Sequence, residues 1–188
     1  TVHADDFYGS DAYFKASSYL DNIASNHYGL IAYRLGNTLT PNGSAKRGIC
    51  KVNEDNTLTA LIESSVTRVE DKVEVKPLDG SPMFTTSPDT TVSMNFLLFT
   101  PSLFKILEEK LITFLEENKN DLSSCEFLIP IVLNDCLNEK LVTVDVIETT
   151  ATWLGITYKE DKDDVVKALG SLTKEGIYKE NLWGDFND

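Results

Sequence analysis

The stretch YGLIAYRLG, residues 28–36, constrains the fold more than any other part of the chain. It is nearly continuous in apolar residues, far shorter than a membrane span, and followed by the turn-rich segment NTLTPNGSAKRG (37–48). A strand with water on one face alternates apolar and polar residues. A run that is apolar throughout is the pattern of a strand covered on both faces. Ahead of it, residues 1–4 read as the end of another strand. Ser10 is placed to cap a helix whose apolar stripe is Tyr13, Ala16, Leu20, Ile23 and Ala24. Strand, helix, strand is the grammar of an α/β sheet with flanking helices.

The remaining segments extend this pattern. ICKVNEDNTLTALIES (49–64) reads as a hairpin turning at Asn53 to Asn56, and KVEVKPLDGSP (72–82) as a further strand and turn. TVSMNFLLF (91–99) is a second strongly apolar strand. Thr100 and Pro101 then predict a helix start, with Leu103, Leu107, Leu111, Phe114 and Leu115 on one face. A second helix is expected over 123–140, with Ser123 and Glu126 as a capping box and Pro130 as a kink. LVTVDVIE (141–148) alternates as a strand. TWLGITY (152–158) reads as a strand or tight loop, and a last helix over 160–172 has Asp161 as its cap. One domain spanning 1–188, a mixed sheet with β-hairpin insertions, accommodates all of this.

Composition narrows the function classes. The formal net charge is −13, with 30 Asp+Glu against 17 Lys+Arg, so the basic face that nucleic acid requires is not expected. A local cation or a metal can still hold a small anion on an acidic protein. Cys50, Cys125 and Cys136 show no C-x-x-C spacing, and His3 and His27 add no zinc pattern, so they read as free thiols in a reducing compartment. No apolar run reaches membrane-spanning length and no signal peptide is evident, so a cytoplasmic protein is expected.

Asp5 and Asp6 carry the chemical interest. They follow a strand in an α/β pattern, and the ligand crevice of such sheets lies beyond the strand ends. Adjacent carboxylates both ionise readily only in water or beside a cation. Mg²⁺ suits them, because it takes one or two carboxylates and shares phosphate oxygens. The plainer reading is a turn in which one aspartate caps the next helix. Lys46 and Arg47 adjoin Gly48 and could reach a phosphate, or could be solvated loop cations. Arg34 is expected to pair with a carboxylate, and Trp153 and Trp183 to pack rather than to hold a sugar.

ADDFYG (4–9), followed by VSMNF (92–96), EFLIP (126–130) and WLGITYKED (153–161), resembles the C-terminal part of the sugar-phosphate nucleotidyltransferases, over nearly the whole chain. The resemblance implies a partial Rossmann-like, GT-A-type sheet. It also implies a role in transferring a nucleotidyl group from a nucleoside triphosphate to a sugar 1-phosphate, with Mg²⁺ and release of pyrophosphate. By that resemblance Asp5 is the catalytic metal aspartate, with Asp6 beside it. Gly48 in RGIC (47–50) and Glu63 in LIES (61–64) face the sugar, and Asn95 in SMN (93–95) lines the same pocket. The glycine-rich triphosphate loop of the family is not in this sequence, which implies the latter portion of a longer enzyme, inactive by itself. A second metal carboxylate of the family has Gly155 at its place, leaving Asp161 or Glu160 as substitutes. Missing early strands would uncover sheet edge, so a homo-oligomer or a covering partner is expected. Two alternatives compete: a non-catalytic module of the same ancestry that binds a sugar phosphate or a protein, and a GT-A glycosyltransferase using the aspartate pair as a clamp.

Overall fold

The computed structural model describes residues 1–182, so Trp183 lies outside the described residues. The chain is mixed α/β. Its helices are α1 (Ser10–Leu20), α2 (Ser102–Glu117), α3 (Ile129–Asn138) and α4 (Asp161–Lys174). Its strands are β1 (His27–Arg34), β2 (Ala45–Val52), β3 (Leu58–Val69), β4 (Lys72–Pro77), β5 (Phe84–Thr86), β6 (Thr91–Leu98) and β7 (Thr143–Glu148). They form one seven-stranded sheet in the order β5-β4-β3-β2-β6-β1-β7. Only β1 and β7 run parallel; every other neighbouring pair is antiparallel.

The apolar runs are explained by two cores. On one face Ile31, Tyr33, Val92 and Leu98 pack under Ala12 and Ala16 of α1. On the other, Leu30, Ala32 and Leu97 pack against Leu103 of α2 and Leu133 of α3. Successive strand residues point to opposite faces, so β1 is apolar at every position from Tyr28 to Tyr33, where both faces are covered. Each fully buried Leu or Ile contributes about 1.5–3 kcal/mol. Gly29 is required here, because a Cβ would meet the Tyr19 ring at 2.7 Å.

Several expectations are corrected. Residues 1–4 are not a strand, although Leu97 N–H donates to Thr1 O at 3.1 Å. The parallel pair is therefore β1 with β7, not a strand preceding α1. That helix begins at Ser10, with Gly9 as its N-cap, and ends at Leu20 before Ile23 and Ala24. The expected loop over 37–48 ends early, because β2 begins at Ala45; Arg47 and Gly48 are strand residues paired with Ser64 and Glu63. The segment 123–128 is turn and coil, and Pro130 lies in the first turn of α3, where a missing N–H costs nothing. In α2 the buried side centres on Leu103, Ile106, Leu107 and Phe114, and Leu111 and Leu115 are exposed.

Two contacts shape the hairpin of β2 and β3. Asn134 of α3 donates to Leu61 O at 2.6 Å and accepts from Leu61 N–H at 2.8 Å, standing in for a neighbouring strand. At the hairpin tip, Val146 N–H of β7 donates to Asn56 O at 2.8 Å. Asn56 takes the left-handed turn conformation, with φ 61°, which asparagine tolerates.

Candidate functional site

The sheet opens between β2 and β6. They pair only at Gly48↔Ser93 and Ile49↔Val92. Beyond Ser93, β6 carries Met94, Asn95 and Phe96 against the single residue Ile31 of β1, since Ala32 pairs Ser93 and Leu30 pairs Leu97. This bulge bends β6 away from β2. Asn95 sits at its centre with φ 59°, a left-handed backbone that asparagine adopts more readily than most residues. A cavity of about 540 Å³ occupies the opening, within the usual range for small-molecule sites.

Most of the residues singled out from sequence meet here: Asp6, Arg47, Gly48, Glu63 and Asn95 all line the cavity. Gly48 lies directly opposite Glu63. A Cβ on Gly48 would fall 3.1 Å from Glu63 Oε1 and 2.8 Å from Leu61 Cδ1, so glycine leaves the carboxylate its space. Burial pushes the Glu63 carboxyl up from the ordinary carboxylate range, while the Lys46 charge pulls it back. Lys46 pairs with Ser65 two residues along the ladder, and both line the cavity.

Asp6 and Asp5 part company. Asp6 Oδ2 lies 3.3 Å from Tyr8 Oη and 3.3 Å from His3 Nδ1. Tyr8 is fixed in turn by donating to Met94 O at 2.9 Å. The Asn95 amide nitrogen lies 3.4 Å from His3 Nε2. His3, Asp6 and Asn95 therefore form a chain along one rim. Asp5 is exposed in the turn and does not line the cavity, so the catalytic and metal role expected of it has no geometric partner here. Sequence reading missed the contact of His3 with Asp6; its only signal was the i,i+3 spacing across a turn.

Asp161 is placed differently from a metal ligand. One of its oxygens accepts from Thr40 Oγ1 at 2.5 Å and Asn42 Nδ2 at 2.7 Å. The other accepts from the N–H groups of Thr157 at 2.9 Å and Tyr158 at 2.7 Å. Burial raises its carboxyl, but these donors outweigh burial and bring it to about 2. It is the first residue of α4, not its cap. It ties the loop at 40–44 to the segment that carries Ile156 and Thr157 along the cavity. Gly155 cannot be replaced by a carboxylate, because a Cβ there would enter the Trp153 ring. Glu160 precedes α4 as its N-cap and makes no side-chain capping bond.

Trp153 packs against the first core, and the Arg47 guanidinium carbon lies 4.6 Å from the centre of its ring. Arg34 pairs with Glu148 at 2.6 Å on the surface, well away from this cavity. The aspartates and cysteines near the cavity do not form a dense cluster: among the described residues no three His, Cys, Asp or Glu side chains gather into a metal-binding group. Asp6 and Glu63 are the carboxylates that line the cavity, and one carboxylate is enough for Mg²⁺ where water and phosphate oxygens take its other positions.

A smaller recess of about 280 Å³ lies between the start of α1 and α4, lined by residues including Phe7, Asp11, Leu154, Leu172 and Tyr178. Among the described residues no lysine or arginine lines it. Among the described residues no helix is long and apolar enough to cross a membrane. No protein-family model matches the chain, and no curated protein matches it.

Proposed function

We propose that this chain carries the sugar side of a sugar-phosphate nucleotidyltransferase built on a Rossmann-like, GT-A-type sheet. The complete enzyme would join a nucleoside triphosphate to a sugar 1-phosphate and release pyrophosphate. The observation that supports this reading is convergence: Asp6, Gly48, Glu63 and Asn95, distant in sequence, line one cavity. Glu63 and Asn95 would accept from and donate to ring hydroxyls, and Gly48 would let the ring approach the backbone. The reaction is an in-line attack of the sugar phosphate oxygen on the α-phosphorus. It asks the protein chiefly for positioning and charge compensation. When bound, Mg²⁺ supplies screening between the two anions, and Asp6 would hold it.

Two measurements test this. Hexose 1-phosphates are titrated into the chain with and without Mg²⁺, with binding expected to be lost in Glu63→Ala. The chain, supplemented with a glycine-rich triphosphate-loop segment, is assayed for pyrophosphate release, expected to require Mg²⁺ and to fall at least 100-fold in Asp6→Asn. Full activity in Asp6→Asn would remove the metal role.

A second reading, a non-catalytic sugar-phosphate-binding module, is favoured by one observation. Asp161 is fully committed to hydrogen bonds and Asp5 stands outside the cavity, so only one of the three expected metal carboxylates lines it. Sugar-phosphate binding that is indifferent to Mg²⁺ and to Asp6→Asn would select this reading.

A further inference from the structure

Arg47 is buried, at 5% exposure, yet ion-pairs with no carboxylate among the described residues. A buried charge without a counter-charge costs several kcal/mol unless something else compensates it. Its protein partners are neutral. Nε–H donates to Thr38 O and Thr38 Oγ1, both at 3.1 Å, Nη1 donates to Lys46 O at 2.6 Å, and Nη2 donates to Thr38 O. Each terminal nitrogen keeps a second N–H for which the described residues provide no acceptor. Asp6 and Asp161 act on the guanidinium only through space, opposing the burial that pushes its pKa down to about 10, so it stays charged at neutral pH. The stack on Trp153 holds the guanidinium plane in place.

We propose that the cavity wall at Arg47 is an oxyanion subsite: a phosphate group accepts from the N–H groups of Arg47 that the protein leaves without an acceptor. A planar guanidinium held through Nε and Nη2 by Thr38 and through Nη1 by Lys46 O keeps one N–H on each terminal nitrogen, and such a pair suits two oxygens of one phosphate. The assignment gives the ligand a direction. Its anionic end lies toward Arg47 and Trp153, and its hydroxyl-bearing end toward Glu63 and Asn95. It deepens the sugar-phosphate reading above and rests on it for the second half of that orientation, while the anion site stands on Arg47 alone.

The test is a titration of the wild-type chain with inorganic phosphate, then with glucose 1-phosphate, followed by NMR at the Arg47 side-chain Nε–H and the Trp153 indole N–H. Saturable shifts at both are expected. Arg47→Met is expected to weaken phosphate binding at least tenfold. Should Arg47→Met fail to fold, the wild-type shifts decide the matter without it. Absence of phosphate binding, or saturation that leaves the Arg47 signal unmoved, overturns the subsite. Glucose 1-phosphate binding without any shift at Arg47 also overturns it while leaving the sugar-phosphate reading intact. Phosphate binding at Arg47 to which the sugar adds no affinity keeps the subsite and removes that reading.

Discussion

Gly155 and Asp161 illustrate how single positions hold the cavity's outer wall. At Gly155 the space a side chain would need is taken by the Trp153 ring, and Asp6 Oδ1 is 3.0 Å away. Gly155→Ala must push the ring or the loop aside, and overpacking of this kind costs about 1–3 kcal/mol. Urea denaturation is expected to register that loss. Asp161 is held at about 2 by its four donors, below the roughly 3.9 of a free aspartate. Its carboxylate therefore adds stability that is fully present above about pH 4 and is lost as pH falls toward 2. In Asp161→Asn that segment of the acid-unfolding curve is expected to flatten, and the variant is expected to be less stable than wild type at neutral pH. The two positions also mark what sequence could and could not disclose. An aspartate before an apolar-periodic stretch was legible as a helix-start residue, but nothing local revealed that its donors would come from Thr40 and Asn42, more than a hundred positions earlier.

Among the elements, β1, β6 and α2 were readable because their apolar spacing is long and unbroken. The β2–β3 hairpin was readable from its Asn-rich turn. The start of β2 was not, since Lys46 and Arg47 follow Gly43 and Ser44 and look like loop; their strand conformation depends on ladder partners in β3. The site divides in the same way. Gly48, Glu63 and Asn95 were singled out only by the resemblance of RGIC, LIES and SMN, since the loop expected over 37–48 hid the strand that carries Gly48, and they line one cavity. The separation of Asp5 from Asp6 depends on the turn before Phe7, and the shape of that turn is set by Tyr8 reaching Met94. One element contact has a measurable cost. Asn134→Ala leaves Leu61 N–H and C=O without their side-chain partner, and each unmade buried hydrogen bond costs about 1–3 kcal/mol. A loss of about 2–4 kcal/mol is expected, read by chemical denaturation, and Asn134→Asp is expected to be destabilising as well, because a carboxylate oxygen in place of Nδ2 would face Leu61 O with no proton to share.

For the molecule as a whole, stability is centred on β1 and β6, whose side chains are covered on both faces. By contrast, the only buried residue of α4 is Asp161. Regions with little buried apolar surface open locally well before global unfolding. Amide hydrogen exchange is expected to be slowest in β1 and β6 and much faster in the second half of α4, with Thr157 and Tyr158 gaining speed in Asp161→Asn. The hairpin tip has one more consequence. A parallel strand at the end of a sheet is a template on which another chain can crystallise its own backbone. Here the turn at Asn56 already grips β7 through Val146, and the opposite end of the sheet is the three-residue strand β5. Val146 N–H is thereby withheld from a second backbone on one flank, and on the other a second backbone meets a strand of only three residues.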